Sequence, residues 1–535
     1  MSPTPVPGPP PPPDWAGPGR VRTDVAIVGA GAAGLYAALH VPEHLEVVVV
    51  DKGVAGGDSG SSPWAQGGLA VALAADDSPE AHARDTIRAG DGLCDPAAVA
   101  VLTREAPGHV ARLLELGAEF DRLPDRLTSA DPADLDLARE GGQRISRSVH
   151  RADATGAEMI RVLRGAVTER VRRLEGAAVS LARDADGRVS GLWVLSDGQP
   201  VALEARAVLL ATGGCGGLFA ATTNPEHATG DGLALAAGAG AAVRDAEFVQ
   251  FHPTGLAVEG SWRFLLTEAL RGAGATLHDA GGERFMVGVH TDAELAPRHV
   301  VARAILEQAE GTAWLDATHL TEDGFARAFP TVLAGARRHG FDLVTERVPV
   351  TPAAHYHVGG IRTDLRGRTS VPGLYAAGEV ASTGVHGANR MAGNSLSETL
   401  VFGARAATTL SEELPDRHRD LGEEPLLAEH PPLDAMGARK RMRQRMWVDA
   451  GPARTPRGLA TLAAELHALA AQLGPPTRDP AGLELHHAVR AAALIVRGAR
   501  LRTESRGGHR RADLPDSDPA WQGAHVEQTG IVDTV

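Results

Sequence analysis

Residues 24–38 read DVAIVGAGAAGLYAA, and the fold follows from this stretch. Val25 to Val28 is a short unbroken apolar run, the pattern of a strand buried on both faces. Gly29, Gly31 and Gly34 follow in G-x-G-x-x-G spacing, and Leu35 to His40 continues as an apolar helix. Gly29 permits the tight turn, Gly31 lets a pyrophosphate approach the backbone, and Gly34 allows close helix–strand contact. Ala32 and Ala33 open the helix, where unpaired backbone N–H groups face the phosphates. A second apolar strand, 46–50, ends in Asp51 and Lys52. Asp51 stands 22 residues beyond Gly29, where a carboxylate suits a ribose diol. Strand, glycine turn, helix, strand and acid together begin a nucleotide-binding sheet. FAD and NAD both satisfy this much. Glycine clusters that recur at 211–217 and 373–394 favour one large cofactor threaded past several loops.

Outward from this motif, the chain of 535 residues carries a formal charge of −14, which excludes a broadly basic nucleic-acid-binding surface. Its two cysteines, Cys94 and Cys215, exclude a disulfide scaffold and any four-cysteine metal or iron–sulfur site. No apolar run reaches the roughly 18 residues of a membrane helix, and the N-terminus lacks a signal-peptide pattern, so the expected compartment is the cytoplasm. The expected architecture is α/β. A Pro-rich tail (1–19) precedes a Rossmann-like nucleotide-binding domain in two parts (20–245 and 351–425). A capping α+β domain is inserted at 246–350, and a C-terminal three-helix domain and tail occupies 434–535. Helical patterns at 434–447, 458–473 and 481–500, each bounded by Gly or Pro, predict that last bundle.

The ordered series SPWAQGGLA (62–70), REGG (139–142), HRADATG (150–156), ATGG (211–214), NPEHATGDG (224–232), FVQFHPTG (248–255), HYHVGG (355–360), GLYAAGEVASTGVHGANRMAGNSLSETLVFG (373–403) and TESRGGHRRAD (503–513) resembles the flavoprotein family of succinate dehydrogenase, fumarate reductase and L-aspartate oxidase. The resemblance runs over about residues 22–515. It implies FAD as cofactor, wrapped by Ser59, Ser61, Ser62, Gln66, Gly67 and Gly68, with Ala211, Thr212, Gly213 and Asp231 beside it. Gly378 and Glu379 would lie at the ribityl chain, and Asn394, Ser395 and Leu396 at the ring. Members that hold the flavin covalently place a histidine five residues before the glutamine of AQGG; here that position is Ser61. A hydroxyl cannot make that bond, so non-covalent FAD is implied.

For the substrate, the resemblance implies that His252, His355 and Arg390 anchor the carboxylates of a four-carbon acid, with Thr267 as a further donor. All three anchors stand on glycine-bordered loops. Arg298, early in a helix predicted over 297–310, matches the family's proton-transferring arginine, and Glu268 is a relay for it. Glu140 in REGG would face a substrate ammonium, which distinguishes aspartate from succinate. The implied activity is oxidation of L-aspartate to iminosuccinate, with dioxygen (giving hydrogen peroxide) or fumarate as acceptor, at the first step of bacterial NAD synthesis. Quinolinate synthase is the pathway partner, and the chain is expected as monomer or homodimer. A soluble fumarate reductase or succinate dehydrogenase flavoprotein is the alternative. Two departures stand out. His357 adds a titratable group near the site, and Gly393 replaces a serine hydroxyl that would contact a carboxylate.

Overall fold

The computed structural model describes residues 19–53, 60–258 and 263–530. The Pro-rich tail except its last residue, Gly19, lies outside them, as does Ser59.

The opening motif forms as expected. Strand β1 (Arg20–Val28) leads through Gly29 into helix α1 (Ala32–His40), and strand β2 (Val47–Asp51) lies parallel to β1, Val25 opposite Val47. Side chains of β1 alternate between two cores: Val25 and Ile27 pack with α1, Ala26 and Val28 on the other face. This double burial is what an unbroken apolar run requires. The sheet has seven strands. Its order is Arg172–Glu175, β2, β1, Gln199–Leu210, Val189–Ser196, Ala177–Arg183, and Leu374–Ala376 also pairs with Gln199–Leu210. The pairings of β1 with β2 and with Gln199–Leu210 are parallel, and the hairpin at 177–210 is antiparallel. The carboxyl ends of β1, β2 and Gln199–Leu210 therefore meet at one edge, where ligands enter such sheets.

The inserted region is a separate four-stranded antiparallel sheet, ordered Val249–Leu256, Val348–His357, Ala313–Asp316, Thr276–His278. It has its own core around Leu277, Ile305 and Phe325. Its first and second strands carry the chain into and out of the cap. They pair with each other, with His252 opposite Ala353.

Three helices, Ala435–Ala450, Pro456–Leu473 and Pro480–Leu501, form the C-terminal bundle and share the core on one face of the large sheet. Their starts are explained by side-chain caps: Asp434, Thr455 and Asp479 accept from the backbone N–H of Gly437, Gly458 and Gly482. The tail after them is less irregular than its polarity predicts. The strand Glu527–Thr529 pairs with Ala242–Arg244, and Arg502, fully buried, bridges Asp245, Glu247 and Glu504. Among the described residues, no helix is long and apolar enough to cross a membrane.

Candidate active site

A cavity of 610 Å³ begins at the start of α1, passes under the cap and ends among buried cationic and imidazole side chains. Gly29 takes φ +110, and a Cβ there would strike the carbonyl of Ala211 at 2.3 Å. A Cβ on Gly213 (φ +74) would meet nothing within 4 Å, because that residue faces the cavity. The amide of Ala32 donates to Ser62 Oγ at 3.1 Å, so the segment around Ser62 lies across the helix start. Lining the same channel are Gly31, Ala33, Ser61, Gln66, Gly67, Gly68, Thr212, Ser395 and Leu396.

Asp51 and Lys52 line the end of the cavity near β2. Arg173 donates to Asp51 at 3.1 Å. Lys52 pairs with Asp231 (2.6 Å) and with Glu484 of the bundle (3.4 Å). Burial alone would raise the Asp231 carboxyl, but Lys52 outweighs it and holds the group below its ordinary value.

Glu379 is a half-buried carboxylate on the cavity wall that accepts the His357 N–H at 2.8 Å; desolvation pushes its pKa up to about 7. Gln66 Oε1 and Thr212 Oγ1 line the cavity and are buried without a hydrogen-bond partner among the described residues. Buried polar atoms of this kind call for a ligand's polar groups. Free helix amides, acids at the β2 end and orphaned acceptors along the wall fit FAD.

The far end holds the predicted substrate residues. His252 and His355 project from the paired cap strands with ring centroids 5.0 Å apart. The Thr254 N–H donates to His252 Nδ1 at 3.2 Å, which assigns the proton to Nε2, and Nε2 is buried without a partner among the described residues. His355 Nδ1 meets Thr223 Oγ1 at 2.8 Å. Burial, and then Arg298, holds both rings well below the ordinary imidazole range, so both are neutral at pH 7. Arg298, in the helix Arg298–Leu306, donates from Nε to Glu268 Oε2 at 2.5 Å and from NH1 to Gln250 Oε1 at 3.1 Å. Arg390 is buried, and burial followed by repulsion from Arg298 lowers it to about 10, still protonated at neutral pH. Glu140 accepts the Gly68 N–H at 3.0 Å; burial, and the nearby Glu268, raise its pKa.

Arg298, Glu140, His252, Thr267, His355 and Arg390 thus line one cavity. Glu268 does not. It lies behind Arg298, with Arg271 on its other side at 3.6 Å. Burial would raise Glu268, but Arg298 and Arg271 outweigh it and keep it ionised. Gly34, Gly378 and Asn394 also stand off the cavity. At Gly34 a Cβ would meet the Gly29 carbonyl at 2.0 Å, so its role is packing. Gly378 (φ +72) sits against Ala33. The Asn394 side chain is spent on His82 (2.7 Å) and Thr86 (2.9 Å).

His357 points away from the site and contacts the Ala246 carbonyl at 3.0 Å; burial lowers it to about 4. Gly393 has φ +83, and a Cβ would come within 2.8 Å of Ala70 N. A serine is excluded there by the backbone of this chain, so the position contributes no missing hydroxyl. Sequence reasoning missed Arg271, Gln250, Thr223 and Tyr356. The first lies three residues past Glu268 on one helical face, and Gln250 lies inside the FVQFHPTG motif.

A doubly wound sheet with a dinucleotide-shaped cavity at its carboxyl edge, closed by an antiparallel cap, defines an FAD-dependent oxidoreductase. The chain matches the FAD binding domain family over residues 24–396 and the fumarate reductase flavoprotein C-terminal family over 439–527. It is 46% identical to an L-aspartate oxidase of Streptomyces coelicolor, covering 95% of this chain and 91% of that one. It is 47% identical to an L-aspartate oxidase of Caulobacter vibrioides, covering 92% and 94%. Among solved structures, an E. coli quinol fumarate reductase superposes with a TM-score of 0.85 at 28% identity, covering 97% and 98%. The chain belongs to the L-aspartate oxidase family within the succinate dehydrogenase and fumarate reductase flavoproteins.

Proposed function

We propose that this protein oxidises L-aspartate to iminosuccinate. The observation that carries the reading is the charge pattern at the end of the cavity. Arg298 and Arg390, with neutral His252 and His355, offer donors for two carboxylates, while Glu140 adds a buried lining carboxylate within the field of Arg298, suited to an ammonium. Succinate has no group for Glu140 to meet.

FAD, when bound, supplies the two-electron acceptor. The chain's own residues bind, orient and move protons. His252 Nε2–H, Arg390 and Thr267 hold the carboxylates and turn Cα toward the cofactor channel. Glu140 receives the amino group. The ammonium passes one proton to Glu140 as Cα–H leaves with its electron pair, giving the C=N bond of iminosuccinate. Arg298, held by its ion pair with Glu268, is placed to give a proton when fumarate is the acceptor. Glu268 and Arg271 behind it form the return path. Dioxygen as acceptor yields hydrogen peroxide. Ser61, whose Oγ accepts from Asn224 at 3.1 Å, leaves FAD without a histidyl bond at this position. In this reading the protein works in the cytoplasm and passes its product to quinolinate synthase for NAD synthesis.

Anaerobic mixing of the holoenzyme with L-aspartate, monitored at the flavin absorption band, tests this. Rapid bleaching by L-aspartate and slow or no bleaching by succinate is expected; the reverse order would assign a succinate dehydrogenase instead.

A further inference from the structure

The two arginines of the site are held in different ways. Arg298 is tied by hydrogen bonds to Glu268 and Gln250. Arg390 has no such tie: among the described residues no acceptor bonds its guanidinium, and its Nε is buried without a partner. Its contact is the face of the Tyr356 ring, whose centroid lies 4.6 Å from Cζ. A long, rotamer-rich side chain repelled by a neighbouring cation keeps one orientation only if something holds it.

The ring itself is locked. The Tyr356 hydroxyl donates to Glu398 Oε2 at 3.1 Å. His386 Nε2 reaches the same oxygen at 2.9 Å, and Thr383 donates to Oε1 at 2.5 Å. Glu398 is 0% exposed. Three parts of the fold meet on this one carboxylate. Thr383 and His386 belong to the loop that carries Arg390, Glu398 to the helix Asn394–Glu412, and Tyr356 to the strand that leaves the cap. The mechanism above uses none of them.

Resting on the dicarboxylate reading and extending it, we propose that Tyr356 is a positioning residue for substrate recognition. Its ring face, fixed by Glu398, His386 and Thr383, holds the Arg390 guanidinium ready to receive a substrate carboxylate. The physical advantage lies in geometry. A carboxylate partner would occupy the in-plane N–H donors of Arg390 and compete with the substrate. An aromatic face attracts the cation from above the plane and leaves the fork free. Donation of the hydroxyl to the Glu398 side chain adds electron density to the ring and strengthens that attraction.

The test titrates succinate into FAD-loaded enzyme, read by perturbation of the flavin spectrum, together with steady-state kinetics on L-aspartate. Y356F keeps the ring and is expected to bind succinate within about threefold of wild type, whereas Y356L weakens binding about tenfold or more. The loss falls on KM for L-aspartate more than on kcat. Because leucine also alters packing, a second series replaces Tyr356 by phenylalanine bearing one, two and three ring fluorines. These are near-isosteric, so FAD content and Tm stay at the Y356F level, while each fluorine raises the dissociation constant about two- to threefold as the ring quadrupole fades. A flat fluorine series, or Y356F as weak as Y356L, overturns the proposal. If wild-type holoenzyme binds no dicarboxylate, the reading of the site itself falls, and this one with it.

Discussion

In the proposed reading, substrate choice turns on Glu140. Its carboxylate is buried beside Glu268, and its raised pKa means that it takes up a proton at a higher pH than an exposed glutamate. Only the ionised form attracts an ammonium. As pH falls through that raised value, the affinity for L-aspartate should therefore weaken more steeply than the affinity for succinate; parallel titrations of both ligands across pH 5–8 measure the difference. Glu140→Gln removes the charge and keeps the shape. It is expected to lower kcat/KM for L-aspartate at least about tenfold, with succinate binding nearly unchanged, since hydrogen bonds to charged groups contribute about 1.5–3 kcal/mol. Equal losses for both ligands would show that Glu140 only supports the Gly67–Gly68 turn.

Single elements owe their boundaries to local chemistry, and the bundle illustrates this. Asp479 caps the helix Pro480–Leu501, whose inner face joins the core under the large sheet. Asp479→Ala should cost about 1 kcal/mol in chemical denaturation without changing FAD affinity. The turn at Gly393 is less forgiving. Its φ of +83 and the 2.8 Å approach to Ala70 N leave no room for a Cβ. Gly393→Ser strains the turn immediately before the helix Asn394–Glu412 and should lower both Tm and FAD content, opposite to the gain a restored hydroxyl contact would bring.

Across the whole molecule, the C-terminal tail is tied to the strand that begins the cap by a fully buried ionic cluster. Arg502 meets Asp245, Glu247 and Glu504 with no exposure. Burial and Asp245 push Glu247 up to about 7 despite Arg502. Arg502→Leu leaves the buried Glu247 without its ion-pair partner, while Glu504 keeps Arg506 and Asp245 keeps His525, and should destabilise the protein by about 3–5 kcal/mol near pH 8. In the variant Glu247, already raised by burial, takes up a proton more readily in the folded than in the unfolded state. Stability relative to wild type should then recover as pH falls, a trend that urea titrations at several pH values will resolve. A variant deficit that grows on acidification would contradict this account of the cluster.

The nucleotide-binding turn, the cap insertion and the three bundle helices were all legible along the chain, because each rests on contacts or caps within a few residues: glycine spacing, apolar period, Asp434, Thr455 and Asp479. Motif order likewise named most of the cavity wall, including His252, His355, Arg298 and Arg390. Which side chains meet was a different matter. Asn394, beside the cavity in sequence, turns inward to His82, 312 residues away. His357 faces Ala246 across 111 residues. Glu268 stands behind Arg298, and Tyr356 lies under Arg390, through pairings between the cap strands and a distant loop. Local propensity carries no term for such long-range contacts. They are decided when burial forces each polar atom to find a partner, and that choice exists only in the packed molecule.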